Sequence, residues 1–286
     1  MDIRFVIAGG RHCGTTWLHT LLEQNPHVAL ATAVKETRFF TTKHGNGIDW
    51  YRSLFPADIT GRVVGEVDPS CFMHHYSAEN INETASGAKV IFILRRPPEL
   101  SHSGFLFSRR EGTFRGTEEK RWATSYFARR DVAFGSILKE FYDRFPWDQI
   151  YVTLFDDLRA DPVQFYTKIC DFIGVPAVTD PALFTRKANF AASSRVPWLT
   201  NAIYHVKHRA RQGDLHWLVN GIKRAGGKRL FDRLFKPDSS KISPELEHII
   251  MRDTRDEVSL ASDLTGIDLL KRWGYGQVSS ENDRML

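Results

Sequence analysis

The chain has 286 residues, a formal net charge of +5 and only three cysteines, Cys13, Cys71 and Cys170. That length supports one large domain with a sizeable core, and so sparse a cysteine count excludes a disulfide scaffold and shows no metal-ligand spacing. The mild basic excess suits an anionic ligand, while no zinc-finger, RRM or helix-turn-helix signature supports a nucleic-acid partner.

Residues 3–8 (IRFVIA) are a β-rich apolar run that Gly9 and Gly10 break. From Thr15 the pattern turns helical, with Leu18, Leu21 and Leu22 on one face. A strand, a glycine-rich loop and a helix N-terminus in that order present unpaired N–H groups and the positive end of a helix dipole to one point. The candidate phosphate cradle is Arg11, His12, Cys13, Gly14, Thr15 and Thr16. Thr15 and Thr16 offer hydroxyls, Arg11 and His12 offer cations, and Gly14 permits close approach to the backbone. Residues 9–16 fit the G-x-x-x-x-G spacing of a nucleotide-binding P-loop, but Thr15 stands where that loop has its lysine. A plain ATPase or GTPase is therefore disfavoured, and a ligand-free strand–helix turn is the bland alternative.

Asn25 and Pro26 end the first helix, and residues 28–30 predict a short strand. Lys35, Glu36 and Arg38 then cluster ahead of Phe39 and Phe40, which on composition alone is a solvated turn with two core aromatics. A short helix over 49–54 and a strand over 62–67 follow, with Glu66 and Asp68 flanking Val67. Residues 88–94 (AKVIFIL) read as a central parallel strand buried on both faces. It ends in Arg95, and a helix starting at the following prolines carries Ser103. A long helical stretch over 117–145, broken near 129–132, leads to a strand over 149–154 and a helix over 163–173 closed by Gly174. Residues 176–199 are loop-rich and contain Arg186 and Lys187; residues 207–236 are strongly basic, and residues 244–264 form a last helix. The basic stretch reads as a solvated helical hairpin, with contact to an anionic acceptor or a membrane surface as the alternative.

The organisation predicted is one domain over 1–277, with a basic helical subregion near 199–240 and a polar tail over 278–286. The fold class is α/β, a central parallel sheet with helices on both faces and a P-loop-like strand–loop–helix anion site. The chain begins in a strand, so neither a signal peptide nor a transmembrane segment is expected. With the few cysteines this suggests a cytoplasmic enzyme or a trimmed chain.

His12, Gly14, Thr15, Thr16 and Leu18 resemble the phosphosulfate loop, K-x-G-T-T/R-x-L, of sulfotransferases that use 3′-phosphoadenosine 5′-phosphosulfate (PAPS). Arg95 and Ser103 resemble that family's 3′-phosphate motif, and residues 35–40 (KETRFF) resemble the E-x-x-F-F segment of its glycosaminoglycan branch. The resemblance implies sulfuryl transfer from PAPS to a hydroxyl or amine of a small-molecule or carbohydrate acceptor, without a metal. It makes Glu36 the general base and gives His12 the place of the loop lysine that steadies the leaving phosphate. It assigns Arg95 and Ser103 to the 3′-phosphate, and Arg186 and Lys187 to a loop over the nucleotide. Lys35 and Asp68 fall on the substrate side; relatives carry a lysine where Val67 stands here, and Lys35 is the candidate replacement charge. A nucleotide kinase and a non-catalytic protein that binds PAPS or its product are the rival readings.

Overall fold

The computed structural model describes residues 1–184, 192–194, 235–237 and 240–277. Five strands build the sheet: β1 (Ile3–Gly9), β2 (Val28–Ala29), β3 (Val63–Val67), β4 (Lys89–Leu94) and β5 (Ile150–Leu154). Their order is β2-β3-β1-β4-β5, and every neighbouring pair is parallel. A parallel sheet needs a crossover between strands and is covered by what crosses. That is why β1 and β4 are apolar along nearly their whole length and almost entirely buried. Chain order reverses beside β1, so the loop leaving β1 opens at the carboxyl edge of the sheet, where ligands of such folds bind.

The crossovers supply α1 (Thr15–Glu23), α2 (Gly47–Arg52), α3 (Ser77–Ala85) and α4 (Pro97–Arg110). The expected long helical stretch is instead three pieces, α5 (Glu118–Thr124), α6 (Tyr126–Arg130) and α7 (Phe134–Tyr142). One break falls at 131–133, as expected. The other is at Ser125, which is extended and turns its side chain to cap the Ala128 N–H of the next helix. Such local bonding is how serine competes with helix continuation. After β5 comes α8 (Phe155–Ala160), followed by α9 (Pro162–Ile173) with Gly174 in the left-handed cap.

A short α10 (Pro181–Phe184) precedes a two-stranded antiparallel pair, β6 (Ala192–Ser194) with β7 (Phe235–Pro237). The long α11 (Pro244–Thr265) and the one-turn α12 (Leu269–Arg272) close the described chain. Residues 207–234 of the basic subregion and the tail from 278 lie outside the described residues. Among the described residues no helix is long and apolar enough to cross a membrane.

α11 lies hard against α7. The Ser136 N–H and hydroxyl both donate to Glu257, at 2.8 and 2.5 Å. A methyl at Gly135 would stand 2.6 Å from Leu260 Cβ and 2.8 Å from the Glu257 carbonyl. Gly135→Ala gains helix propensity, about 1 kcal/mol, but the overpacking it forces costs about 1–3 kcal/mol. A net loss in urea denaturation is expected, while Gly87→Ala, where nothing stands within 4 Å, is near neutral. Equal stability of the two variants would mean that the helices part easily.

Candidate active site

The loop is stitched in place before it begins: the Gly10 N–H donates to the Ile93 carbonyl of β4 at 2.9 Å. Gly14 is the N-cap of α1, with φ +82°, and no side chain caps the helix there. The first-turn N–H groups are thus left for water or a ligand. A Cβ at Gly14 would also strike Leu158 Cδ2 at 2.5 Å. This glycine therefore answers to its backbone conformation and to α8 packing as well as to any phosphate. Cys13 is fully buried, its thiol donates to the Arg11 carbonyl, and burial pushes that thiol up to about 12. Its side chain is a core group, so its contribution to an anion site is limited to the main chain.

Arginines crowd the loop. Arg95, at the end of β4, donates from Nη1 to the His12 carbonyl at 3.1 Å, and its guanidinium lies over the Phe155 ring at 4.5 Å. Its Nη2 is 3.4 Å from Glu99 Oε2, while its buried Nε has no partner among the described residues. Arg11 reaches the buried Asp131 carboxylate at 3.6 Å. Ser103 is half-buried in the middle of α4, which starts two residues after Arg95, so the end of β4 and the helix that follows it carry one member of the pair each.

The His12 ring packs against Phe107, with centroids 5.1 Å apart. Burial first, then Arg11, Arg121, Arg95 and Arg110, hold its imidazole well below the usual histidine range. In the ligand-free protein His12 is therefore neutral, and the protonated form expected of it belongs to the loop with a sulfate and a phosphate bound. The positive charge at the loop is carried by arginines, and a cation among cations gives up its proton first.

Glu36 stands on the other side of the loop, on a segment held by two acids at the end of β3. The Thr37 N–H donates to Glu66 Oε1 at 2.8 Å, and the Arg38 N–H to Asp68 Oδ2 at 3.0 Å. The Tyr51 hydroxyl donates to Glu66 Oε2 at 2.7 Å; the Ser70 N–H and hydroxyl take Asp68 Oδ1 at 2.9 and 2.5 Å. Phe39 stacks on Tyr51 with ring centroids 4.2 Å apart. Asp68 was expected to face the substrate. It is fully buried and its bonds go to main chain and Ser70, so its position is that of a frame for the Glu36 segment. Val67 is buried and brings no charge.

Glu36 itself is half-buried, and Lys35 joins it to the loop: the ammonium is 3.0 Å from Glu36 Oε1 and 3.0 Å from Thr16 Oγ1. Sequence reasoning missed Glu66 and Tyr51. The signal was there, since an acid in an apolar strand end must be buried and must find donors. Arg186 and Lys187 lie outside the described residues.

A parallel sheet with a glycine-bearing strand–loop–helix at its carboxyl edge, ringed by arginines and faced by a carboxylate, defines an α/β protein with a P-loop-like anion site. Residues 2–211 match the family model of the sulfotransferase domain, and the chain belongs to that family. It is 26% identical over 192 residues to human heparan sulfate glucosamine 3-O-sulfotransferase 3B1, covering 64% of this chain and 49% of that protein. It is 32% identical over 107 residues to the membrane-associated sulfotransferase kil1 of Dictyostelium discoideum, covering 36% and 22%. The chain spans about half the length of the heparan sulfate relatives it matches. A sulfotransferase from Alicyclobacillus acidocaldarius has the same fold, with a TM-score of 0.68 at 19% identity over 96% of this chain and 99% of that one.

The two framing acids give stability a pH dependence. Burial, then Asp68, pushes Glu66 up to about 8; burial, then Glu36, pushes Asp68 up to about 6. The folded state therefore keeps protons that the unfolded chain has released above the ordinary carboxylate range, about 4. The stability these two acids contribute is fully present below that range and is lost as pH rises through about 6 and toward about 8. Urea denaturation across this window is expected to show that slope, and Glu66→Gln, neutral throughout, to flatten it. An unchanged slope in the variant would place the bound proton elsewhere.

Proposed function

We propose that this chain transfers a sulfuryl group from PAPS to a hydroxyl or amine of a carbohydrate or small-molecule acceptor. The observation that carries the reading is the Glu36–Lys35–Thr16 chain of contacts, which sets a carboxylate beside an anion loop. The site's own features fit PAPS: an uncapped helix N-terminus, a surplus of arginine and an unpartnered buried Nε on Arg95 all favour an anion. The names of the heparan sulfate relatives favour a sugar as the acceptor.

PAPS supplies sulfur on an activated phosphate. Glu36 takes the acceptor's proton as the acceptor oxygen or nitrogen bonds to sulfur, and the bond from sulfur to the 5′-phosphate oxygen breaks. The loop N–H groups with Thr15 and Thr16 receive the negative charge left on that phosphate. His12, neutral before binding, donates a ring N–H, and the incoming anions offset the arginines and favour a second proton on it. Arg95 and Ser103 hold the 3′-phosphate, which fixes position rather than chemistry. Arg95 also anchors the loop through the His12 carbonyl, so the two phosphate sites are tied together.

Adenosine 3′,5′-bisphosphate is expected to raise the melting temperature well above the effect of AMP or ATP, because a ligand stabilises the state it binds. Arg95→Ala should remove most of that preference. Equal shifts with AMP and the bisphosphate in the unaltered protein would overturn the 3′-phosphate assignment.

Glu36→Gln keeps the shape of the base and removes its basicity. Turnover of PAPS with saccharide acceptors should fall by on the order of 10²–10⁴, with bisphosphate affinity nearly unchanged. Near-normal turnover in that variant would return Glu36 to the role of a charged turn.

A further inference from the structure

His12 stands in the anion loop, and Val67 ends β3 between the two framing acids. Neither provides a cation to the ligand-free site: His12 is neutral among arginines, and Val67 is buried and apolar. The arginines at the loop already have work. Arg11 faces Asp131, Arg95 holds the His12 carbonyl and Glu99, and Arg110 pairs with Glu111 at 3.3 Å. His19, one turn along α1 from Thr16, is buried; burial and then Lys35 push it down to about 4, so it is neutral too. Lys35 is the ammonium that touches both the first turn of α1, at Thr16, and the carboxylate of Glu36.

We infer that Lys35 is a catalytic residue, the group that donates to the oxygen leaving sulfur while Glu36 takes the acceptor's proton. This rests on the proposed sulfuryl transfer. The new bond joins sulfur to the acceptor, the electron pair of the broken bond stays on the 5′-phosphate oxygen, and the acceptor's proton goes to Glu36. Lys35 keeps its own protons and contributes a hydrogen bond and a charge at the point where negative charge grows. Its geometry couples the two events. In the ligand-free protein one ammonium is shared between Thr16 and Glu36, which leaves its third N–H to turn toward the phosphosulfate. A phosphosulfate in the loop competes with Glu36 for the charge of that ammonium, so occupying the loop draws the ammonium from the base toward the sulfuryl donor. A flexible ammonium with three donors can make that exchange, whereas a guanidinium fork fixed on one carboxylate makes it less readily.

The test uses the full chain with PAPS and a panel of saccharide acceptors, and in parallel calorimetric binding of adenosine 3′,5′-bisphosphate. Lys35→Met is expected to lower kcat by on the order of 10²-fold, as loss of a transition-state donor does. KM for PAPS should rise much less, and bisphosphate should still bind, since the interaction belongs to the transition state. Lys35→Arg, which keeps the charge, should recover part of the loss. A kcat for Lys35→Met within twofold of the unaltered protein would overturn the role. So would a loss that appears wholly in KM and bisphosphate affinity, which would make Lys35 a binding group. Should the unaltered protein bind the bisphosphate yet consume no PAPS with any acceptor, the proposed function itself fails and this role fails with it. Turnover in the unaltered protein with an indifferent Lys35→Met removes this inference alone.

Discussion

Two carboxyl groups buried at the end of one strand impose the constraint on which the site depends. Glu66 and Asp68 are almost wholly removed from water, and a buried acid without donors costs several kcal/mol whatever its charge. Their donors are the main-chain N–H groups of Thr37, Arg38 and Ser70 and the hydroxyls of Tyr51 and Ser70. Satisfying the acids therefore means fixing the chain at 37–38 against the sheet. Glu36 is the residue immediately before that fixed point. Its backbone inherits the precision of β3, while its side chain, about a third exposed, is left to meet a substrate. Burial of Phe39 and Phe40 pins the segment from the other side, and the Phe39–Tyr51 stack links that packing to the acid that Tyr51 serves.

On the far side of the loop the constraint is one of like charges. Arg11, Arg95, Arg110 and Arg121 all act on His12 in the same direction as burial. Guanidinium groups keep their protons at any physiological pH, so the imidazole is the group that yields. The acids nearby, Asp131, Glu99 and Glu111, each sit beside an arginine, yet the field at His12 remains positive. A protein maintains such a surplus at a strand end at some cost to its stability. A polyanionic ligand reverses the sign of that cost, which links the electrostatics of the empty site to the class of molecule it receives.

Much of this was legible in the chain. The strand–glycine–helix pattern located the loop, and near-continuous apolar runs marked β1 and β4, because parallel strands covered on both faces need no polar alternation. The helix end at Gly174 was readable since a left-handed cap asks for glycine there. Three things were not readable. The protonation of His12 depends first on its burial, which only the fold sets, and then on Arg11 and on Arg121, Arg95 and Arg110, the last three more than eighty positions away in the sequence. Asp68 looked like a substrate contact because its burial is a property of the sheet and not of its neighbours in sequence. Ser125 could not be distinguished from a helix-surface serine until its side chain was seen capping the next helix.

The segment 155–160 shows how far the site's support extends. It folds as α8, and it touches both phosphate motifs at once. Phe155 lies beneath the Arg95 guanidinium, and Leu158 fills the space that a side chain at position 14 would need. The helix is held in turn from the C-terminal end of the described chain, by the Trp273 indole N–H on Asp156 and by Arg272 on Asp157. Arg96, next to Arg95, donates to the Trp273 carbonyl and pairs with Glu247 on α11. The described chain therefore closes around the anion loop: β1 presents the loop, and Arg272 and Trp273 fix the helix α8 against which Gly14 packs. That arrangement explains why residues with no chemistry of their own, Trp273 among them, are built into the support of the site. A loop with an uncapped helix start and a surplus of like charge has little internal reason to keep its shape, so the shape has to be imposed from outside.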